Sequence, residues 1–140
     1  MELLTTDMKT LLAKKPCKSE PSVEFTHEKM HDGLQSKTFT WPDIKTGDCH
    51  QTGCTLTLIS DGRGKFNCTT WTDHTHSGDI WQAIFTGQDQ FQLDLFSVGA
   101  FSSPRMNDGN PSPRYPWGGS FNYDKTHFDA VVSMVEHSWC

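Results

Sequence analysis

Residues 54–71 read Cys-Thr-Leu-Thr-Leu-Ile, then Ser-Asp-Gly, then Arg-Gly-Lys-Phe-Asn-Cys-Thr-Thr-Trp, and they decide the fold class. Along the first run, Cys54, Leu56 and Leu58 alternate with Thr55 and Thr57, the period of a half-buried β-strand. A three-residue Ser60–Gly62 loop with Gly62 in the left-handed region closes a hairpin. That loop sets Ile59 opposite Arg63, and therefore Leu56 opposite Phe66 and Cys54 opposite Cys68. These last four side chains share one face. The two thiols then face each other across the hairpin, bonded if the chain matures in an oxidising compartment.

Outward from the hairpin the same grammar continues. Upstream, Thr38-Phe39-Thr40-Trp41 reads as a strand ended by Pro42, and Asp43–Gly53 as a turn region. Downstream, the Asp73–Gly78 turn leads to a strand over 79–86 and the Gly87–Asp89 turn to a strand Phe91–Leu95. In the latter, strict alternation points Phe91, Leu93 and Leu95 inward. Ser102–Ser120 holds four prolines and three glycines and reads as one long loop. A helical turn near Asp124 and a closing strand end the chain. Before the body, Leu3, Leu4, Met8, Leu11 and Leu12 fall on one side of a short helix stopped by Pro16. Residues 17–35 are polar and aperiodic and read as coil.

The expected organisation is an N-terminal helix and polar arm over residues 1–35 and a β-domain over 36–140. Six to eight short strands in consecutive hairpins point to an all-β antiparallel sandwich or closed barrel. The sequential order favours the barrel, up-and-down and calycin- or lipocalin-like.

Charge and motifs exclude several classes. A net charge of −5 argues against a nucleic-acid partner. No apolar run approaches the ~20 residues of a transmembrane helix. Residues 1–18 lack a signal-peptide core, so the expected location is cytoplasmic if Met1 is the native start and secreted if this is a mature domain. Oligomeric state is not readable. No phosphate-binding glycine loop, G-x-S-x-G elbow or H-E-x-x-H is present, and no cofactor motif is found.

Chemically capable groups concentrate between Phe66 and Thr86. His74 and His76, two apart, face the same way on an extended segment. With Asp73 or Asp79 they offer part of a metal set, but no third histidine completes one and no metal is assigned. The alternatives are a polar turn in which Asp79 caps backbone amides, or acid–base work by His74, His76 and Asp79. Trp71 and Trp81 flank that turn and serve either as core or as a ligand-binding wall. Arg105, Arg114, Tyr115 and Trp117 make the long loop a candidate lid. Every second connection between antiparallel strands lies at one end, so the histidine turn and this loop should share a mouth.

The pattern Phe39-Thr-Trp41, Gly47-Asp48-Cys49, Asp61-Gly62, Phe66, Trp71, His76-Ser-Gly-Asp79, Trp81 and His137-Ser-Trp-Cys140 resembles a family of small, mostly secreted bacterial β-domains of unknown function. The resemblance covers residues 36–140. It implies a β fold and a bond between Cys49 and Cys140, and carries no activity with it. The histidine pair with Asp79 is also similar to the metal-binding strand of cupins, but the acidic residue sits too close and the second cupin motif is absent. The lipocalin G-x-W signature is absent as well.

Two functions follow as expectations. One is a small-molecule-binding barrel, a binder or a cofactor-independent isomerase or cyclase acting on a small apolar or amphipathic ligand. The other is an extracellular interaction or carbohydrate-binding module without catalysis.

Overall fold

The structure, a computed structural model, describes residues 18–140. The short helix expected before Pro16 lies outside them. Ten strands form two antiparallel sheets. One sheet has the order β1 (Lys18–Pro21), β10 (Ser133–Trp139), β7 (Gln82–Gln88), β8 (Asp94–Ser102). The other runs β2 (Glu24–Lys29), β3 (Gln35–Thr40), β5 (Cys49–Ile59), β6 (Arg63–Thr72), β9 (Tyr115–Asn122), with short β4 (Ile44–Thr46) beside β5. The sheets do not close on each other, so the architecture is a sandwich rather than the favoured barrel. The chain changes sheet four times instead of running through consecutive hairpins.

The β5–β6 hairpin is the longest pairing and keeps the expected register, with Leu56 opposite Phe66 and Gly62 at φ 99°. Further along, β5 carries one extra residue between Thr52 and Thr55, with Gly53 at φ 61°. A bulge of this kind moves the strand by one residue relative to the pleat. It lets Cys49 and Gln51 face the same interior as Cys54, Leu56 and Leu58. Cys54 and Cys68 are both buried free thiols. The Cys54 thiol is pushed up, first by its hydrogen bond with Cys68 and then by burial. The pair thus meets across the hairpin as expected, in the reduced state. The bond implied by the resemblance is present: Cys49 and Cys140 are joined, with Cα atoms 6.2 Å apart across 91 residues of sequence.

The interior is filled. Phe39, Phe66, Trp81, Phe85 and Phe96 are essentially inaccessible and pack with Leu56, Leu58 and Met134 into one cluster. Phe66 contacts Phe85, Phe101 and Trp117 at ring-centroid distances of 5.1, 4.6 and 5.2 Å, separations at which aromatic edges and faces attract.

Four sequence expectations are corrected. Residues 18–29 are not coil but edge strands. β1 pairs β10 and β2 pairs β3, and Ser22 and Val23 step from one sheet to the other through bonds to Met134 O (2.8 Å) and Thr40 O (3.0 Å). Edge strands carry polar side chains on both sides, so no alternation announced them. Phe91 and Leu93 do not face the core; they are 72 % and 62 % exposed. The Asp89 carboxylate accepts from both their backbone amides, holding them in a turn, and β8 begins only at Asp94. The 79–86 strand starts late, at Gln82. The long loop is shorter than read: β8 extends to Ser102 and β9 starts at Tyr115, leaving residues 103–114. The expected turn at Asp124 is a short 3₁₀ helix, Lys125–His127, capped by the Asp124 carboxylate.

Candidate functional site

Two crossovers meet at one end of the sandwich. The 73–81 segment carries the chain from β6 to β7, and residues 103–114 carry it back from β8 to β9. Asp79 and Met106 exchange backbone hydrogen bonds of 3.0 and 2.7 Å, locking one to the other. Met106 is fully buried and accepts a hydrogen bond from Thr70 Oγ1 at its sulfur (3.1 Å). Arg105 donates to Ser77 O (2.8 Å), and the Asp108 carboxylate accepts from the Thr75 amide (3.1 Å) and lies 3.8 Å from His74 Nδ1. The histidine turn and the proline-rich loop therefore do share an end.

The sequence-read residues divide there into three groups. His74 and His76 are exposed on the turn, their rings edge to face at 5.0 Å. Asp79 is a turn organiser: its carboxylate accepts from Thr72 Oγ1 (2.6 Å) and Thr75 Oγ1 (3.3 Å), and lies 3.7 Å from Cys49 Sγ. A base whose oxygens are already engaged with neighbouring hydroxyls is poorly placed for proton transfer to a ligand. Of the two places open to Trp81, core and ligand-binding wall, it takes the core: it is completely buried and donates to the Glu136 carboxylate (3.3 Å). The physical reason is position: Trp81 sits at the crossover between the sheets, whereas Trp71 lies on the outer side of β6.

Trp71 is the centre of a three-member ladder on the outside of the larger sheet. His50, its cross-strand partner on β5, stacks parallel to it with ring centroids 4.9 Å apart and planes 5° from parallel. On the β9 side, the Arg114 guanidinium lies 3.8 Å from the Trp71 ring centroid. Desolvated cation–π contacts of this kind contribute up to about 2 kcal/mol, exposed ones less. Asp73 fixes the far side of His50 through a 2.6 Å contact to Nε2, and that hydrogen bond holds the Asp73 carboxyl below its usual range. Tyr115 and Trp117 point inward from β9 and brace the loop. The Tyr115 hydroxyl accepts from the Asn107 amide (3.0 Å), and Trp117 Nε1 donates to Thr70 Oγ1 (2.9 Å).

Among the described residues, one grouping of three ligand-type atoms lies within 4.8 Å, that of Cys49, Asp79 and Cys140. Both sulfurs are in the disulfide. No such grouping includes His74 or His76.

Sequence reasoning passed over His50 and Glu136. His50 would have appeared opposite Trp71 had the bulge at Gly53 been read. Glu136 sits between Met134 and Ser138 on the inward face of the closing strand, an alternation that marks it as buried. Gln51 Nε2 (2.9 Å) and Trp81 donate to its carboxylate; burial nonetheless raises its pKa to about 7.

Residues 55–140 match the model of a family of unknown function, DUF6294. The chain belongs to that family. No curated protein and no solved structure matches it. Family membership agrees with the resemblance carried by Trp71, His76–Asp79 and the His137–Cys140 ending, and the matched segment includes every candidate site residue except His50.

Proposed function

We propose that this protein is a non-catalytic recognition module that binds a polar partner through the outer His50–Trp71–Arg114 ladder and the rim formed by His74, His76 and Arg105. The observation that carries this reading is the division between inside and outside. The space between the sheets is occupied by packed aromatic and aliphatic side chains, while the chemically capable groups stand on the surface. Two depressions on the larger sheet, beside Thr69 and Gly118 and beside Arg63 and Phe121, are open to solvent and mix polar with apolar lining. An isomerase or cyclase would call for an enclosed apolar chamber around His74, His76 and Asp79, and that arrangement has less support. A bond between Cys49 and Cys140 supports a chain matured in an oxidising compartment. The hydrogen bond with Cys68 and burial, which push the Cys54 thiol up, keep the facing Cys54 and Cys68 from the thiolate form that oxidation needs. Among the described residues no helix is long and apolar enough to cross a membrane.

Calorimetric titration of the protein with soluble polymers and with small amphipathic ligands tests the reading. Polymer binding that disappears in Arg114→Ala, with near-ultraviolet dichroism unchanged, is the expected result. Tight binding of a small apolar ligand, indifferent to Arg114→Ala, would overturn it.

A further inference from the structure

The ladder is one end of a longer feature. The registers of β5, β6 and β9 map the outer face row by row. Beyond His50–Trp71–Arg114 come Thr52–Thr69–Pro116, then Thr55–Asn67–Gly118, then Thr57–Lys65–Ser120, and finally Arg63–Asn122. Side chains on β9 are small here. Two open depressions lie along this line, about 380 Å³ beside Asn67, Thr69, Pro116 and Gly118, and about 430 Å³ beside Arg63, Lys65, Ser120 and Asn122. At Gly118 no side chain fits, since a Cβ there would lie 2.1 Å from Phe66 O and 2.8 Å from the Asn67 side-chain oxygen, so the Asn67 amide lies over this point of the strip. From residue 63 to residue 71 the trough is about 27 Å long.

Its polar lining is hydroxyl, amide and cation, with Ile59, Phe121 and Trp117 adding apolar surface. Lys65 is exposed and has no carboxylate partner among the described residues. Arg63 is paired with Asp61 through Nε alone (2.7 Å). Arg114 lies over Trp71, 3.8 Å from its ring centroid, with Nη1 donating to Ser112 O (3.1 Å), which leaves its other N–H groups for a ligand. Asp61 and Asp73, each held by a basic neighbour, are the carboxylates bordering this line. Of the other carboxylates at this face, Asp43 is held by Thr52 Oγ1 on β5 (2.6 Å), and Glu24 and Glu28 stand on β2 at the opposite edge. A chain whose net charge is −5 thus gathers cations along one strip.

Resting on the recognition reading above, we propose that this trough binds an acidic polysaccharide carrying carboxylate groups, laid along β6 and β9. Ring hydroxyls meet Thr69, Asn67 and Ser120, and uronate carboxylates meet Lys65, Arg63 and Arg114. A planar carboxylate matches the planar donor edge of arginine, and the Asn67 amide beside Gly118 offers a ring hydroxyl both a donor and an acceptor.

The test is affinity electrophoresis and calorimetry with a soluble polyuronate, a neutral dextran, a sulfated dextran and single-stranded DNA, at low and high salt. The expected result is salt-sensitive binding of the polyuronate in preference to the other three. Lys65→Ala should weaken it about fivefold, as for an exposed charge pair, and Ser120→Tyr should block it by filling the trough without changing charge. Equal binding of neutral dextran, lost in Ser120→Tyr, overturns the acidic class and leaves the trough as a site. Tighter binding of sulfated dextran or DNA overturns the carboxylate assignment. Should no polymer bind the folded protein while a ligand dependent on Arg114 is found, the trough proposal falls and the ladder reading stands. If neither is found, both fall.

Discussion

Lys37 and Glu136 are both buried between the sheets, and neither has an ion-pair partner among the described residues, yet the two are treated differently. The Lys37 amine donates to three backbone carbonyls, those of Phe128, Asp129 and Val131, at 2.6, 3.2 and 2.9 Å. Those carbonyls belong to the segment entering β10, so the cation serves as a clamp with its donors used. Glu136 receives two side-chain N–H groups, while Gln51 Oε1, on one of those two partners, is buried without a partner. The lysine end is satisfied by its own hydrogen bonds. The glutamate end is less so, and it is the end the Cys49–Cys140 bond closes and the candidate site overlies. Buried groups that are incompletely paired cost stability, and here a covalent link offsets that cost where the outer surface carries recognition groups.

Breaking the covalent link should have the largest effect. By the chain-entropy estimate, a loop of this length is worth about 4 to 5 kcal/mol. Cys140→Ser, or mild reduction of the native protein, should lower the unfolding midpoint accordingly in denaturant titrations monitored by tryptophan fluorescence. A loss below about 1 kcal/mol would mean that the glutamate end holds itself together.

The second effect is pH-dependent. Glu136 has a pKa raised from 4.5 to about 7, chiefly by burial. Below pH 4.5 it is neutral in folded and unfolded chains alike. As pH rises, the unfolded chain ionises first, so stability is lost up to pH 7, by about 3 kcal/mol. Glu136→Gln should abolish this falling limb and leave the protein more stable than wild type at neutral pH. Denaturation curves across that range decide it, and parallel profiles for the two proteins would contradict it.

Lys37 carries the opposite sign. Burial lowers its pKa below 10.5, so its contribution improves as pH rises toward that value. Lys37→Met should remove this alkaline improvement and, by stranding three carbonyls, cost about 1 to 3 kcal/mol. Hydrogen exchange should then quicken around Phe128–Val131 and not around the disulfide.

How far such features could be read beforehand depended on whether they left a periodic trace. The β5–β6 hairpin was readable because Cys54, Leu56 and Leu58 alternate with threonines around Ser-Asp-Gly. The shared end of the two crossovers followed from strand parity, which holds whether the connections are hairpins or sheet changes. The sandwich itself was not readable, because a turn such as Asp73–Gly78 looks the same whether it returns to its own sheet or crosses to another. β2 was invisible, being exposed on both faces. Phe91 and Leu93 misled because local capture of their amides by Asp89 outweighed their apolar alternation. The site was legible as a cluster and not as an arrangement: Trp71 and Trp81 flank one turn in sequence but lie on opposite sides of a sheet wall.

The smallest effect should come from the histidine turn. His74 and His76 are exposed, and their surroundings do not depend on them: Thr72 and Thr75 hold the turn through Asp79, and Arg105 holds it through Ser77. Removing either imidazole strands no buried group, and exposed substitutions of this kind usually shift stability by less than about 1 kcal/mol. His74→Ala, His76→Ala and the double variant should therefore melt close to wild type. Thr72→Ala should not, because Thr72 is buried and donates a short hydrogen bond, 2.6 Å, to Asp79. If the histidines belong to the rim of a recognition surface, their loss changes affinity for a bound polymer while the melting temperature stays put. Should the double variant unfold as readily as Thr72→Ala, the histidines are part of the turn's framework and the rim must be redrawn without them.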